Sequence, residues 1–584
     1  MGKSIIVEFI KKHKVSYIIG ILFMLLSSYI QSFFPRVLGN TIDILRIDNF
    51  DFNKVKIKIV YILLIALGTF ISTYVWRNQI IVNARNLECH LREKLYNHFL
   101  KLSSEFYNKR KTGDLIAYAI NDISAVRMTL GPATAMLING IAIFSVSIYS
   151  MSKIISLKFT LMILIPIPFI IFFMLKIGKL VQKRFRTVQE NFASISGRVQ
   201  ENIYGIRVIK SYVQEESEAE KFEILNDTMM NSNINMVKIS SSLSPVIEIS
   251  FSISFVINLI IGGNMVLSGG ITLGDFIAFN GYLTMIMRPV ISIGRVINIL
   301  QRGMASIKRL EEVFNVTPKI FDGIKMISSA IEGEIEFKNL SFSYSESDKT
   351  ALQNINLKIP KGYTIGITGK TGSGKTTLIS LLLKLYISSG EEIFIDSVDI
   401  NDYSLETLRT SIGYVPQDNF LFSASIKENI KFFKDIYTDE NVKKAAEISS
   451  IYESIMGFPK GFDTVLEERG VNLSGGEKQR ISIARAIIRD PAILILDDSL
   501  SAVDTITESK LLKNIKKSRS GKTTIIVAHR ISTIKHADFI IVMDEGRICE
   551  SGTHYELIKK GGLYYETYNS QYEDQKKKSQ WEAS

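Results

Sequence analysis

Gly369-Lys370-Thr371-Gly372-Ser373-Gly374-Lys375-Thr376-Thr377 follows the strand-like run Tyr363-Thr364-Ile365-Gly366-Ile367-Thr368, and this order decides the fold of the second half of the chain. An apolar strand delivers the backbone into a glycine-rich turn, and a helix begins where the turn ends. Backbone N–H groups and the helix N-terminus then cradle phosphate oxygens, Lys375 reaches the outer phosphates, and the Thr376 hydroxyl suits a magnesium ion. About a hundred residues further on stands Leu473-Ser474-Gly475-Gly476-Glu477, a second glycine-rich stretch that makes chemical sense as a cap on such a phosphate site.

Between and beyond these stretches lie three more strand ends. Ile493-Leu494-Ile495-Leu496 is an apolar buried-strand pattern that ends on Asp497, where a carboxylate is placed to hold a metal ion. Asp498 follows immediately and is placed to position attacking water. Its reach is one methylene shorter than glutamate's, and a misplacement of about 1 Å in a catalytic group costs roughly 100-fold in rate, so slow hydrolysis is expected. Gln417, after Ile412-Gly413-Tyr414-Val415-Pro416, is placed to sense metal or water. His529, after Thr523-Thr524-Ile525-Ile526-Val527-Ala528, is placed to bond a terminal phosphate. Taken singly, either is an ordinary polar side chain at a strand end; their order around a complete phosphate loop favours site roles.

The first half reads differently. The chain has 584 residues, too many for one core, and its 46% hydrophobic content crowds into residues 15–300. Crossing hydrocarbon takes about 20 apolar residues. Six stretches qualify: 15–38, 57–77, 131–152, 157–177, 246–267 and 276–300. Lys11, Lys12 and Lys14 precede the first and put that end in the cytoplasm. The loop after it mixes Asp43, Asp48 and Asp51 with Arg46, Lys54 and Lys56, and adds little to the orientation. The start lacks a small-residue cleavage signal, so an uncleaved span is expected rather than a signal peptide.

Residues 78–130 and 178–245 are long, charged and nearly free of proline, and are expected to carry the spans far into the cytoplasm as helices. Phe106-Tyr107 with Thr112-Gly113-Asp114, and Tyr204 through Tyr212, are expected at their turns. Pro289 predicts a kink in the sixth span, while Glu248, Arg288 and Arg295 are expected to face a bundle interior, a wet cavity or the membrane edge. The net charge of +12 is spread beside apolar spans, without the basic, aromatic-interleaved module that nucleic acid demands. Two distant cysteines, Cys89 and Cys549, frame neither a disulfide network nor a metal site.

Over nearly its whole length the chain resembles an ATP-binding cassette exporter half. Its most specific part is Leu473-Ser474-Gly475-Gly476-Glu477-Lys478-Gln479-Arg480 ahead of Asp497. The resemblance implies a six-span α-helical transmembrane domain (1–318), a linker (319–331), an α/β nucleotide-binding domain (332–578) and a polar tail (579–584). It implies that Tyr344 stacks on adenine and that Gly369 through Thr377 form the Walker A loop. Thr376, Gln417 and Asp497 then hold Mg2+, and Asp498, His529, Gln417, Ser474, Gly476 and Glu477 form the catalytic set for ATP. Ser501-Ala502-Val503-Asp504 resembles the D-loop, and Thr464 through Gly470 the exporter X-loop, although the family more often has glycine near position 467.

Two departures stand out. Glutamine is commonest where this chain has Glu477, and competent members carry glutamate where it has Asp498. The resemblance therefore implies pairing with a second, nonidentical half-transporter that bears a catalytic glutamate, each phosphate loop facing the other subunit's signature; a homodimer is the alternative. The implied activity is ATP-driven export of amphipathic or hydrophobic compounds across a bacterial plasma membrane, with the N-terminus and the nucleotide-binding domain cytoplasmic. Lipid flipping and peptide export are the rival uses of the same motor. A soluble DNA-repair ATPase has no room for six spans, and a purely structural membrane protein leaves the ordered ATP residues unexplained.

Overall fold

The computed structural model describes residues 2–47, 51–322, 326–345, 349–467, 470 and 473–582, with the backbone alone at 2–3 and 574–582. Glu468 and Arg469 of the X-loop-like segment, positions 323–325 of the expected linker and positions 583–584 of the expected tail lie outside the described residues. Two compact units result: Met1–Leu100 with Arg110–Thr317, and Lys101–Lys109 with Pro318–Ser584.

The first unit contains six stretches of helix long and apolar enough to cross a membrane: Lys14–Leu45, Phe52–Phe99, Thr112–Ile154, Leu157–Tyr204, Glu215–Leu267 and Leu273–Phe314. Each apolar stretch read from the sequence lies within one of them, and the charged sequence at 78–99, 178–204 and 215–245 prolongs them. Local chemistry sets their starts. Asp51 accepts the amide of Asn53 at 2.9 Å, Ser156 accepts that of Phe159 at 3.2 Å, and Thr272 exchanges hydrogen bonds with Asp275 in a capping box. The sixth helix continues through Pro289. Wider turns fall elsewhere, at Tyr118–Asp122, Thr129–Ala133 and Asn258–Gly262, where a π-type turn admits an extra residue.

Close packing joins the third and sixth of these helices. A Cβ on Gly303 would lie 1.7 Å from Thr129 Oγ1, so only glycine lets that hydroxyl reach the Ile299 carbonyl at 3.1 Å. Beside it the buried Asp122 carboxylate accepts from Ser306 Oγ at 2.7 Å and from Arg309 Nε at 3.1 Å, so a charge taken out of water keeps both a hydrogen bond and a counter-ion. Most apolar surface remains uncovered, however. In the hydropathic window of Phe52–Phe99 only 6% of residues are buried, and lipid is the medium that can cover the rest.

The second unit is built on two sheets. Strands β1 (Ile335–Ser343), β2 (Thr350–Ile359), β4 (Ile393–Ile395) and β5 (Val398–Asp399) form an antiparallel sheet in the order β2-β1-β4-β5. Strands β3 (Thr364–Gly369), β6 (Ile412–Val415), β7 (Ile493–Asp497), β8 (Thr523–Val527), β9 (Phe539–Asp544) and β10 (Arg547–Gly552) form the other, in the order β10-β9-β3-β8-β7-β6. Its strands are parallel except for β10. Parallel strands covered on both faces read as continuous apolar runs rather than alternating ones. Every residue of β7 and β8 is buried accordingly. Parallel order also brings the C-terminal ends of β3, β6, β7 and β8 to one edge, where an open α/β sheet binds its ligand.

Candidate active site

At that edge the turn after β3 leads into helix Lys375–Leu382. Gly369 stands at φ 145°, and a Cβ there would meet the Met543 carbonyl oxygen at 2.0 Å, so the position admits no side chain. Gly374, left-handed at φ 97°, turns the chain into the helix. Lys370, Thr371 and Gly372 form the outer part of the turn, closed by Ser373 N–H donating to the Lys370 carbonyl at 3.2 Å. Lys375 is buried, with Nζ donating to the carbonyls of Gly369 at 2.9 Å and Lys370 at 2.8 Å. Burial pulls its pKa down, and the charges of Asp497 and Asp498 oppose that pull.

Asp497 ends β7 at 1% exposure. Desolvation raises the pKa of its carboxyl and the neighbouring Asp498 adds to the rise, while a hydrogen bond from Thr376 lowers it. The Tyr414 hydroxyl stands 3.5 Å from Asp497 Oδ2. Asp498 occupies a left-handed backbone conformation at φ 46°, pinned by its N–H donating to the Val527 carbonyl at 2.9 Å. Gln417 Nε2 lies 3.5 Å from Asp498 Oδ2. The structure thus brings Lys375, Thr376, Gln417, Asp497 and Asp498 together from three parts of the sequence.

Two adjacent carboxylates, one buried, with a hydroxyl and an amide alongside, fit a small hard cation. No group of three or more His, Cys, Asp or Glu side chains suited to a metal occurs among the described residues. Magnesium takes one or two protein oxygens and shares the rest of its shell with phosphates and water.

The Tyr344 hydroxyl hydrogen-bonds Thr377 Oγ1 at 2.9 Å, and its ring meets those of Phe342 and Tyr386 edge-on. His529 follows β8, and its carbonyl accepts from Gln571 Nε2 at 2.7 Å. Ser474 caps helix Gly475–Ile487: its N–H and Oγ both lie 2.8 Å from Glu477 Oε2, while Glu477 N–H returns to Ser474 Oγ at 3.3 Å. Glu477 therefore fixes the helix start rather than taking part in the cluster of acidic and basic groups at β7. Gly476 runs close to the Ala502 carbonyl, which a Cβ would approach to 3.0 Å. Gln479 in turn accepts from the Ala502 amide at 3.1 Å, so the signature helix is tied to the segment 501–504.

Three contacts are not visible in the sequence pattern. Tyr414 is a hydroxyl within an apolar strand, a weak cue that could have singled it out. Gln571 carries none. The third is at Ser104–Asn108, a short helix in the same unit as β1–β10. There Glu105 accepts from Lys319 at 2.6 Å and also bonds Ser345 and Lys109, and these partners, Lys319 first, hold its pKa down to about 2. Asn108 Nδ2 donates to the Tyr386 hydroxyl at 2.9 Å, so Tyr386 joins this helix to the Tyr344 ring. In the other unit the expected turn at Tyr204–Tyr212 breaks at Gly205 and continues as helix Ile206–Ser211.

Residues 17–290 match the family described as the ABC transporter transmembrane region, and residues 352–501 match that described as ABC transporter. A Bacillus subtilis (strain 168) relative described as the probable multidrug resistance ABC transporter ATP-binding/permease protein YheI is 39% identical, over 96% of each chain. The multidrug resistance-like ATP-binding protein MdlA of Escherichia coli (strain K12) is 32% identical, over 95% of this chain and 94% of its own. A solved structure of a bacterial Atm1-family ABC exporter with ATP bound has the same fold, with a TM-score of 0.78 and 24% identity over 96% of this chain and 99% of that one. The chain belongs to the ABC transporter family: it is a multi-pass membrane half-transporter whose ATP-hydrolysing domain is coupled to transport.

Proposed function

We propose that this chain is the slow-site subunit of a heterodimeric exporter that moves amphipathic or hydrophobic compounds out across a bacterial plasma membrane, with its N-terminus and nucleotide-binding domain in the cytoplasm. One observation carries the reading: an intact Ser474-Gly475-Gly476 cap, with Ser474 and Gly475 exposed, occurs in the same chain as the short Asp498 carboxylate beside Asp497. The cap is equipped to complete another chain's site, whereas the chain's own site lacks glutamate's reach. In this reading the cytoplasmic turn also favours a second chain, since Tyr204 is 81%, Tyr212 72% and Val213 80% exposed well past the apolar stretch that ends at residue 177. The names of the relatives support the cargo class.

In this reading the loop from Gly369 to Thr377 cradles the ATP phosphates with its backbone N–H groups, and Lys375 neutralises charge on them. Tyr344 stacks on the adenine. Thr376, Gln417 and Asp497 would hold Mg2+, which would supply neutralisation of phosphate charge. Asp498 orients the attacking water, poorly for its length, and His529 bonds the terminal phosphate. Ser474 and Gly476 do the same service for the partner's nucleotide. Nucleotide held between the two chains closes the domains and its hydrolysis releases them, and the turns at Ser104–Asn108 and Ile206–Ser211 pass that motion to the spans.

The test is reconstitution in vesicles, alone and with a candidate second half-transporter, following ATP-dependent movement of dyes, lipids and peptides. Transport of dyes that requires both chains is the expected result. Full-rate transport by this chain alone would overturn the heterodimer, and exclusive movement of lipids or peptides would overturn the cargo class.

A further inference from the structure

The polypeptide at 529–531 is gripped from one side by a single amide. Gln571, on helix Leu563–Glu582, donates from Nε2 to the His529 carbonyl at 2.7 Å and accepts at Oε1 from the Ile531 N–H at 2.9 Å. An amide flipped end for end would set like against like at both contacts, so the chemistry fixes its orientation. The side chain thereby pairs with the backbone much as a neighbouring strand would.

The grip has a firm base. Tyr564 of the same helix is fully buried in the core that also contains Leu557, Ile531 and Ile534, and its hydroxyl meets His554 Nδ1 at 2.8 Å. Tyr564, Tyr568 and Gln571 stand four and three residues apart and so share one helix face. That face is aromatic until it reaches residues 529–531, the switch segment, where it offers a two-ended hydrogen-bonding group instead.

From the segment the network continues. Arg530, between the two gripped residues, donates to the carbonyls of Ser501 at 3.0 Å and Val503 at 3.3 Å. Ser501 Oγ donates to the Asp498 carbonyl at 3.0 Å. One amide therefore bears on both His529 and the strand end that carries Asp498.

We propose that Gln571 is a positioning residue for hydrolysis at this chain's own site, holding the 529–531 backbone so that the His529 imidazole meets the terminal phosphate. The inference rests on the reading of His529 as the terminal-phosphate partner. It assigns helix Leu563–Glu582 a part in the chemistry, and any ligand or partner that shifts this helix gains a lever on the switch segment. Gln571 touches no substrate; its effect passes through the backbone carbonyl and amide on either side of Arg530.

The experiment uses the full chain in vesicles, assembled with the half-transporter it pairs with, and a photoactivatable ATP radiolabelled on the α or the γ phosphorus. After illumination this chain's band is read alone. The α label reports nucleotide binding, and the ratio of γ to α label reports hydrolysis at this site. Gln571→Ala removes both bonds, while Gln571→Glu keeps the acceptor for Ile531 and removes the donor to His529. Both are expected to slow loss of the γ label about tenfold while the half-saturating concentration for the α label stays within about twofold, a turnover effect without a binding effect. In a His529→Ala chain the added Gln571→Ala is expected to change nothing further, because coupled residues fail to add.

The proposal is overturned if both single variants keep the γ-label rate within about twofold of the unsubstituted chain, or if Gln571→Ala has its full effect without His529. It is also overturned if His529→Ala itself leaves the rate unchanged. The slow-site reading fails separately: in that case γ label is lost quickly from the unsubstituted chain and Asp498→Glu does not hasten it, while the Gln571 comparison still reads on the faster baseline.

Discussion

Two of the chain's glycine-rich helix starts are built in opposite ways. At Gly374-Lys375 the helix begins inside the protein: the lysine is 7% exposed and lies in the field of Asp497 and Asp498. At Ser474-Gly475 it begins at the surface, with its first orphan donors satisfied by the reciprocal box with Glu477. The first start concentrates buried charge; the second closes its own reciprocal box, with Ser474 and Gly475 exposed. A site assembled from both needs two surfaces, and that is the physical sense in which such a chain is half of a machine.

The largest effect is expected at the buried start. Lys375→Ala should cut ATP hydrolysis at this chain's own site, read from γ label retained on this chain's band, by about 10^2–10^3-fold, as loss of a preorganised charge stabiliser does. Asp497→Asn should lose hydrolysis on a similar scale and yet raise the thermal unfolding midpoint of the nucleotide-free protein. The sign follows from the raised carboxyl pKa: burial disfavours the charged form in the folded state relative to the unfolded one, a penalty that grows as the pH rises past the ordinary carboxylate range, and asparagine removes the group that ionises. A lower midpoint for Asp497→Asn would break the picture of unresolved charge.

Next comes the contrast between cap and carboxylate. Ser474→Ala, in the assembled transporter, should reduce steady-state turnover far more than Asp498→Ala if, as proposed, the cap serves a partner's fast site and the carboxylate this chain's slow one. Equal, near-total losses from both would remove the division of labour.

Smaller effects sharpen the surface start. Glu477→Ala should cost about 1 kcal/mol of stability through the lost box, while Glu477→Gln, whose amide can also close the box, should change it little; chemical denaturation of the purified chain separates them. The smallest is at Glu105. Its folded pKa is held down to about 2, so its contribution is present above the ordinary carboxylate range and is lost as the pH falls through that range toward about 2. Amide protection at Ser104–Asn108, with exchange corrected for its intrinsic pH dependence, should fall over that window in the unsubstituted chain and stay constant there in Glu105→Gln. Added salt should shrink the difference, since the partners are partly solvent-exposed.

How much was legible follows from range. The apolar runs before Asp497 and Ala528 announce strands because parallel strands bury both faces, and the phosphate loop announces itself because glycine is needed where the backbone turns against a neighbour, as Gly369 does against Met543. The six spans are legible because hydrocarbon thickness sets their length. The extra-residue turns at Tyr118–Asp122, Thr129–Ala133 and Asn258–Gly262 were not foreseen, since they arise where neighbouring helices fit, as Thr129 fits over Gly303. Nor was the pairing of Gln571 with residues 529–531, which lie about forty positions away and share no local pattern with it.

The sequence by itself determined the lipid-compatible spans, the strand-loop-helix at the glycine-rich turn, the serine-glycine cap and the paired aspartates, because each depends on backbone sterics, hydropathy or side-chain chemistry within a few residues. Only the tertiary structure decided which of these groups meet: Asp498 with Gln417, Glu105 with Ser345 and Lys319, Gln571 with the switch backbone. Such contacts depend on sheet order and helix docking, which bring together atoms that no local spacing relates.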